Sequence, residues 1–322
     1  MGKNKMRLGI LIAVMISFIL GSGVGMAAEK FPNKAMDFVV PSSPGSGVSV
    51  WAQLVVNLGG KIIGQPINVL HKPGGNANQT FSYVYRQPAD GYAIGNYVGS
   101  AAGYMNFPEF ETKVSDFIYV MQMMRTLYCM YVRTDSEFKT IQDVIQYAKK
   151  NPGKLDIGTN KVGSVHFVHL EKFSRAAGIK VNNIPYKGVG RSMKDVLGGH
   201  LHVALAQPFL VIPKKDLLRP LLLFNEKRLP QMADVPVPAD LGYKYPINHQ
   251  FYGIFLKKGT PSDRVAKIKE TFKKVIETPE FKAFGDKVGN EVQFMDSKPF
   301  TEMVKRNTQE ARKILIDLKV IK

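Results

Sequence analysis

A short apolar run, Met36-Asp-Phe-Val-Val40, empties into a turn of small residues, Pro41-Ser-Ser-Pro-Gly-Ser-Gly-Val-Ser49. Beyond it Val50, Leu54, Val55 and Leu58 recur at helical spacing, with Ser49 placed to cap them. The local order is strand, glycine turn, helix. Gly45 and Gly47 let the backbone turn closely, and the first N–H groups of the helix then point above the strand's end. Such a corner attracts anions; the same residues also serve as a plain strand-to-helix turn. A cofactor pyrophosphate does not fit. In Gly45-Ser-Gly47-Val-Ser-Val50 a valine stands where a dinucleotide loop has its third glycine, and no Asp or Glu lies between Asp37 and Asp90 to hold a ribose. No Lys-Ser or Lys-Thr follows the turn, as a triphosphate cradle requires. No cofactor is expected, and a smaller anion remains.

The corner is repeated along the chain. Ile67 to Leu70 reads as a strand ending in His71-Lys-Pro-Gly-Gly-Asn-Ala-Asn78, with a helix from Gln79 to Arg86. After the tight turn Pro88-Ala-Asp-Gly-Tyr92, the strand Ala93 to Val98 finishes in Gly99-Ser100. Three strands that end in small-residue turns form the ligand rim of an open α/β sheet. Strands over Phe117 to Gln122 and Leu127 to Val132 then precede a second α/β unit. It has a helix from Thr140 to Lys150, the strand Leu155 to Gly158, the turn Thr159-Asn-Lys-Val-Gly-Ser164 and a helix from Val165 to Ala177. Asn183 to Pro185 leads to Tyr186-Lys-Gly-Val-Gly-Arg191 and a helix to Leu197, and Leu201 to Ala206 is a strand that leaves Gln207 at its end. His249 to Leu256 reads as a return strand. Three amphipathic helices close the chain, over Pro261 to Glu277, Pro279 to Val288 and Pro299 to Leu318.

Lys3, Lys5 and Arg7, the apolar run Leu8 to Gly25 and Ala27-Ala28 have the three parts of a secretory signal peptide, with cleavage expected near Ala28. An uncleaved anchor is the other reading of so long a run. Of the formal +18, the leader carries these three charges, which leaves +15 on the exported chain. That surplus suits anionic partners. The lysines are spread along amphipathic helices and not clustered with aromatics, so nucleic acid is not the expected one. Cys129 is the only cysteine, so no intrachain disulfide forms and packing must carry stability. His166 and His169, and His200 and His202, have suitable spacing for metal but no acidic companions, and no Gly-x-Ser-x-Gly elbow occurs. Neither a metal site nor an enzyme is expected.

Taken in order, a series of short motifs resembles one family across nearly the whole exported chain. They are Phe31-Pro-Asn-Lys34, Pro41 to Ser49, Lys72-Pro-Gly74 with Asn78, Pro88-Ala-Asp-Gly-Tyr92, Asn151-Pro-Gly-Lys154 and Ile184-Pro-Tyr-Lys-Gly188. Leu197-Gly-Gly199, Arg228-Leu-Pro230 with Asp234-Val-Pro236, and Gly259-Thr-Pro261 continue the series. The family is the extracytoplasmic solute receptors of the tripartite tricarboxylate transporters, the Bug receptors. The resemblance implies an α/β type II periplasmic binding protein fold: two α/β lobes joined by two crossing strands, near Leu127 to Val132 and Phe251 to Leu256, with the ligand cleft between them. After a signal peptide over residues 1–28, lobe 1 would comprise residues 29–127 with 251–322, and lobe 2 residues 128–250. It further implies a monomeric periplasmic receptor that captures a small organic carboxylate and delivers it to a membrane permease. An exported sensor domain for a signalling partner, and an exported enzyme on an anionic substrate, are the alternatives.

Neutral donors at helix starts suit such a ligand. On the first lobe the candidates are Ser43, Gly45, Ser46, Gly47, Val48 and Ser49, with Asn76, Asn78, Gly99 and Ser100. Facing them from the second lobe would be Thr159, Asn160, Gly163, Ser164 and His166, with Tyr186, Arg191 and Gln207 at later strand ends. Trp51 would either wall the pocket or sit in the core. The family's first turn usually reads Gly-Gly-Gly-Thr-Asp. Ser49 takes the place of its acid here, which argues against an amine-bearing ligand.

Overall fold

A computed structural model describes residues 30–322; the expected leader lies outside the described residues. The chain divides after Asn33, and the unit Lys34–Lys322 carries two sheets. In the first half of the chain β1 (Met36–Val40), α1 (Gly47–Ile63), β2 (Ile67–His71), α2 (Asn78–Arg86) and β3 (Ala93–Val98) form a parallel unit, with β1 between β2 and β3. Next come β4 (Phe117–Thr126), β5 (Tyr128–Arg133), α3 (Ile141–Lys150), β6 (Asp156–Asn160), α4 (Val165–Ala177), β7 (Asn182–Tyr186), α5 (Val189–Leu197), β8 (Val203–Ala206) and β9 (Leu218–Phe224). The chain finishes with β10 (Gln250–Lys257), α6 (Ser262–Glu277), α7 (Pro279–Lys287), β11 (Asn290–Asp296) and α8 (Ser297–Asp317). The first sheet has the order β11-β4-β10-β3-β1-β2 and the second β7-β6-β8-β5-β9.

The sequence pattern explains each layer. All six residues of β3 are buried, as expected of a central strand covered on both faces. In β5 the alternation is that of a strand between two cores: Tyr128, Met130 and Val132 enter one apolar cluster, Cys129 and Tyr131 the other. Burial raises the Cys129 thiol pKa far above its usual range, so the lone cysteine is an inert core residue. Between the first sheet and its helices lies an aromatic core in which Phe81 stacks on Phe255 at 4.3 Å and Tyr97 on Phe251 at 5.4 Å. Gly95 makes room for it: a Cβ there would lie 2.2 Å from the Phe255 ring. Gly95→Ala is therefore expected to lower stability by about 1–3 kcal/mol through overpacking, read as a lower urea midpoint at unchanged slope.

Three details differ from the sequence reading. α1 begins at Gly47, and its cap is Ser46, whose Oγ accepts from the Ser49 N–H; Ser49 is the third helical residue. β11 is an additional strand where only helices are legible. Asn290-Glu-Val-Gln-Phe-Met-Asp296 is a partly exposed edge strand with little apolar alternation, held by pairing to β4. The passages between sheets also lie just outside the expected strands. β5 pairs only with β8 and β9, and β10 only with β3 and β4. The first passage is Leu127 alone, and the second is the segment 225–249. An ion cluster ties them together: Arg125 pairs with Glu226 at 3.1 Å and with Glu291, and His249 meets Glu226 at 3.0 Å. Burial opposes the charge on Glu226, yet the His249 bond and the Arg125 guanidinium hold its carboxyl down at about 2.

Candidate functional site

The parallel strands of both sheets direct their carboxyl ends toward one cavity of ≈ 390 Å³. The first lobe contributes Pro41 after β1, Val48 in the first turn of α1, Gly74 to Ala77 after β2, Val98 at the end of β3, and Tyr104, Glu109 and Gln250. From the second lobe come Asn160 and Lys161 at the end of β6, and Tyr186, Lys187 and Gly188 at the end of β7. Lys161 Nζ donates to Asn76 Oδ1 at 3.3 Å, a bond that crosses from one lobe to the other. The Tyr186 hydroxyl donates to Asp195 at 2.7 Å, and burial together with that carboxylate pushes its pKa up to about 12, so it stays a neutral phenol. Burial likewise raises Tyr104 to about 12 against a lowering bond from Ser100. The lining is thus amides, phenols and glycine backbone with two lysines and one carboxylate. It can hold a small anion by hydrogen bonds without an arginine clamp.

The lobes touch beside this cavity. Gly163, in the turn before α4, packs on Gly103 of the short helix Ala101–Tyr104 and on Phe107. The Val165 N–H donates to Ser100 Oγ at 3.3 Å, and Ser100 Oγ in turn donates to Gln250 Oε1 at 3.1 Å. Further out, Val168 of α4 packs against Ala311 and Ile314 of α8. Lys172 Nζ donates to Glu310 and to Asn248 Oδ1, both at 2.7 Å, and Arg175 donates to Asp317 at 2.6 Å.

Of the residues expected to meet a ligand, Val48, Asn76, Asn160 and Tyr186 line the ≈ 390 Å³ cavity. Gly47, Trp51 and Gln207 line a second one of ≈ 240 Å³ next to it. Ser43 and Gly45 are exposed on the turn before α1, where the Ser43 carbonyl accepts from the Ser46 N–H. Ser46 caps α1, and Ser49 Oγ lies 3.5 Å from His71 Nε2, on an open groove beside α7. Asn78 holds the 109–111 segment through Glu109 O and the Glu111 N–H. Gly99 packs under the backbone of His249 to Phe251. Thr159 is buried and donates to Asn183. Ser164 caps α4 through the Phe167 N–H, His166 is buried against Tyr128 at 3.8 Å, and Arg191 is exposed on α5 and lines neither cavity. Lys161 and Glu109 were not anticipated. Lys161 stands in the same glycine turn as Asn160, so its position was legible although its reach was not.

The family model of the tripartite tricarboxylate transporter family receptor, TctC, matches residues 51–320. The chain belongs to that receptor family. Among curated relatives, a UPF0065 protein encoded in the gbd 5′ region of Cupriavidus necator is 28% identical over 324 residues, covering 98% of this chain and 97% of its own. Protein BugT of Bordetella pertussis is 26% identical, covering 79% of this chain and 81% of its own. Among solved structures, a TctC solute binding protein from Polaromonas superposes with TM-score 0.79 at 19% identity, over 89% of this chain and 99% of that one. Rpa4515 of R. palustris with adipate follows at 0.75 and 21%, over 88% and 97% of the chains. MatC of Rhodopseudomonas palustris with bound malate follows at 0.72 and 18%, over 88% and 100%. The fold is accordingly the two-lobed periplasmic binding fold of TctC and Bug receptors.

Proposed function

We propose that this TctC-family receptor captures a small organic carboxylate in the interlobe cavity and hands it to a tripartite-type membrane permease, without chemistry of its own. The observation that carries the reading is the Lys161–Asn76 bridge over a cavity lined by backbone, amides and phenols from both lobes. An anion entering there gains donors from both sides at once. Both lysines of the lining are exposed residues, so the ligand is released without the penalty of breaking a buried ion pair. Two structural neighbours carry adipate and malate, which supports the ligand class. Export past a cleaved leader would place the receptor in the periplasm, where a permease can reach it.

A thermal-shift screen of mono-, di- and tricarboxylates against sugars and amino acids tests this. Stabilisation confined to acids is expected, growing with concentration by mass action; a response to sugars alone would sink it. Lys161→Ala is expected to weaken the best acid by about 0.5–1.5 kcal/mol and to flatten its salt dependence, both read by calorimetric titration. Delivery is tested by co-purification with permease subunits in the presence and absence of that acid.

A further inference from the structure

We propose that Glu109 sets the specificity of the interlobe cavity: it turns away a second carboxylate, so the ligand is a monocarboxylate whose far end carries a hydroxyl. The proposal rests on the carboxylate reading above. The charges of the lining are sorted by lobe. Lys161 and Lys187 both come from the second lobe, each directly after one member of the register pair Asn160 and Tyr186 on the parallel strands β6 and β7. Neighbouring strands lie roughly 4.8 Å apart, so the two lysines leave the sheet side by side and suit the two oxygens of one carboxylate. Glu109 is the single carboxylate of the lining, and it comes from the first lobe.

A buried side chain holds the backbone of Glu109 at the cavity. Asn78, 6% exposed, donates from Nδ2 to the Glu109 carbonyl at 2.9 Å and accepts the Glu111 N–H at 3.1 Å. Glu111 is tied down in turn by Ser82 at 3.0 Å and Arg86 at 2.8 Å. The Glu109 carboxylate itself meets no cation among the described residues, so its charge stands unneutralised at the cavity wall. A round cavity of ≈ 390 Å³ is about 9 Å across, close to the Debye length of about 8 Å, so a guest anywhere in it feels that charge. The two lysines and one carboxylate leave the lining one positive charge in excess, which a monoanion balances. A diacid overshoots it and sets its second carboxylate against Glu109, where like charges repel. A hydroxyl in that place donates to Glu109 instead.

The exported receptor is titrated calorimetrically with two length-matched pairs, 4-hydroxybutyrate against succinate and 6-hydroxyhexanoate against adipate. In the pair that binds better, the hydroxy acid is expected to bind about fivefold or more tighter than its diacid, with a gap that narrows in about 0.5 M salt. Glu109→Gln should remove most of the gap by strengthening the diacid about fivefold, and Glu109→Lys should reverse it. Glu109 is exposed, so both variants are expected to keep the melting temperature of the parent. A diacid that binds as tightly as its hydroxy acid, or a gap that neither substitution moves, overturns the proposal and leaves the carboxylate reading standing. If no acid binds, here or in the wider screen, the carboxylate reading falls and takes this proposal with it.

Discussion

Gly103→Ala is expected to leave the receptor folded while weakening its ligand by roughly five- to a hundredfold, because the added methyl prevents the lobes from meeting. A Cβ on Gly103 would lie 1.9 Å from the Gly163 carbonyl oxygen and 2.8 Å from its carbon. Both obstacles are backbone, so no rotamer change relieves them. Gly103 belongs to a helical turn of the first lobe and Gly163 to the turn before α4 in the second. Only the arrangement with the lobes in contact pays the overlap, about 1–3 kcal/mol, and an opened form escapes it. Apparent affinity falls by the fraction of closed receptor that is lost. Calorimetry gives the affinity, and a cooperative melt of the ligand-free variant shows that the fold survives. Unchanged affinity would mean that ligand binding does not require this contact.

That contact also marks where the sequence stops being legible. The strand ends with their small-residue turns are readable: Met36–Val40 is an apolar run before Pro41, and Leu155 and Ile157 alternate inward before the turn Thr159 to Ser164. The start of α4 was readable from Ser164 as well. What covers that start was not. Its Val165 N–H is taken by Ser100, and its turn is packed on Gly103, both some sixty residues earlier in the chain and in the other lobe. No periodicity within one element records such a pairing. Asn78 shows the same limit: a polar residue in a glycine turn looks like a donor for a guest, yet its amide is spent on Glu109 and Glu111. Lys161 shows the converse. Its place in the turn is plain from the sequence, but its reach to Asn76 is a property of how the two lobes face each other. The edge strand β11 is hidden because none of its residues is fully buried and its pairing to β4 comes from far along the chain.

Between pH 7 and pH 5 the receptor is expected to lose about 2 kcal/mol of stability through the buried His166, with His169 adding a loss of the same sign. His166 and His169 lie on the inner face of α4, 3% and 0% exposed. Tyr128 packs on His166, and Phe224 lies 4.9 Å from His169. Burial alone depresses His166 to about 3. Burial, followed by the positive field of His249, Lys172 and His166, holds His169 well below the usual histidine range. Both folded-state pKa values lie below the unfolded value near 6.5, so the unfolded chain takes up protons that the folded one refuses. The stabilisation is complete above about pH 6.5 and is lost as pH falls, at about 1.4 kcal/mol per unit per histidine, until the folded values are reached. Carboxylates with lowered pKa, Glu226 among them, begin to cost stability only below about pH 5, so the window from pH 7 to pH 5 belongs to the histidines. Urea titrations at pH 7, 6 and 5 should show the slope, and the double variant His166→Phe with His169→Phe should flatten it. Parallel pH profiles for the two proteins would show that the proton uptake lies elsewhere.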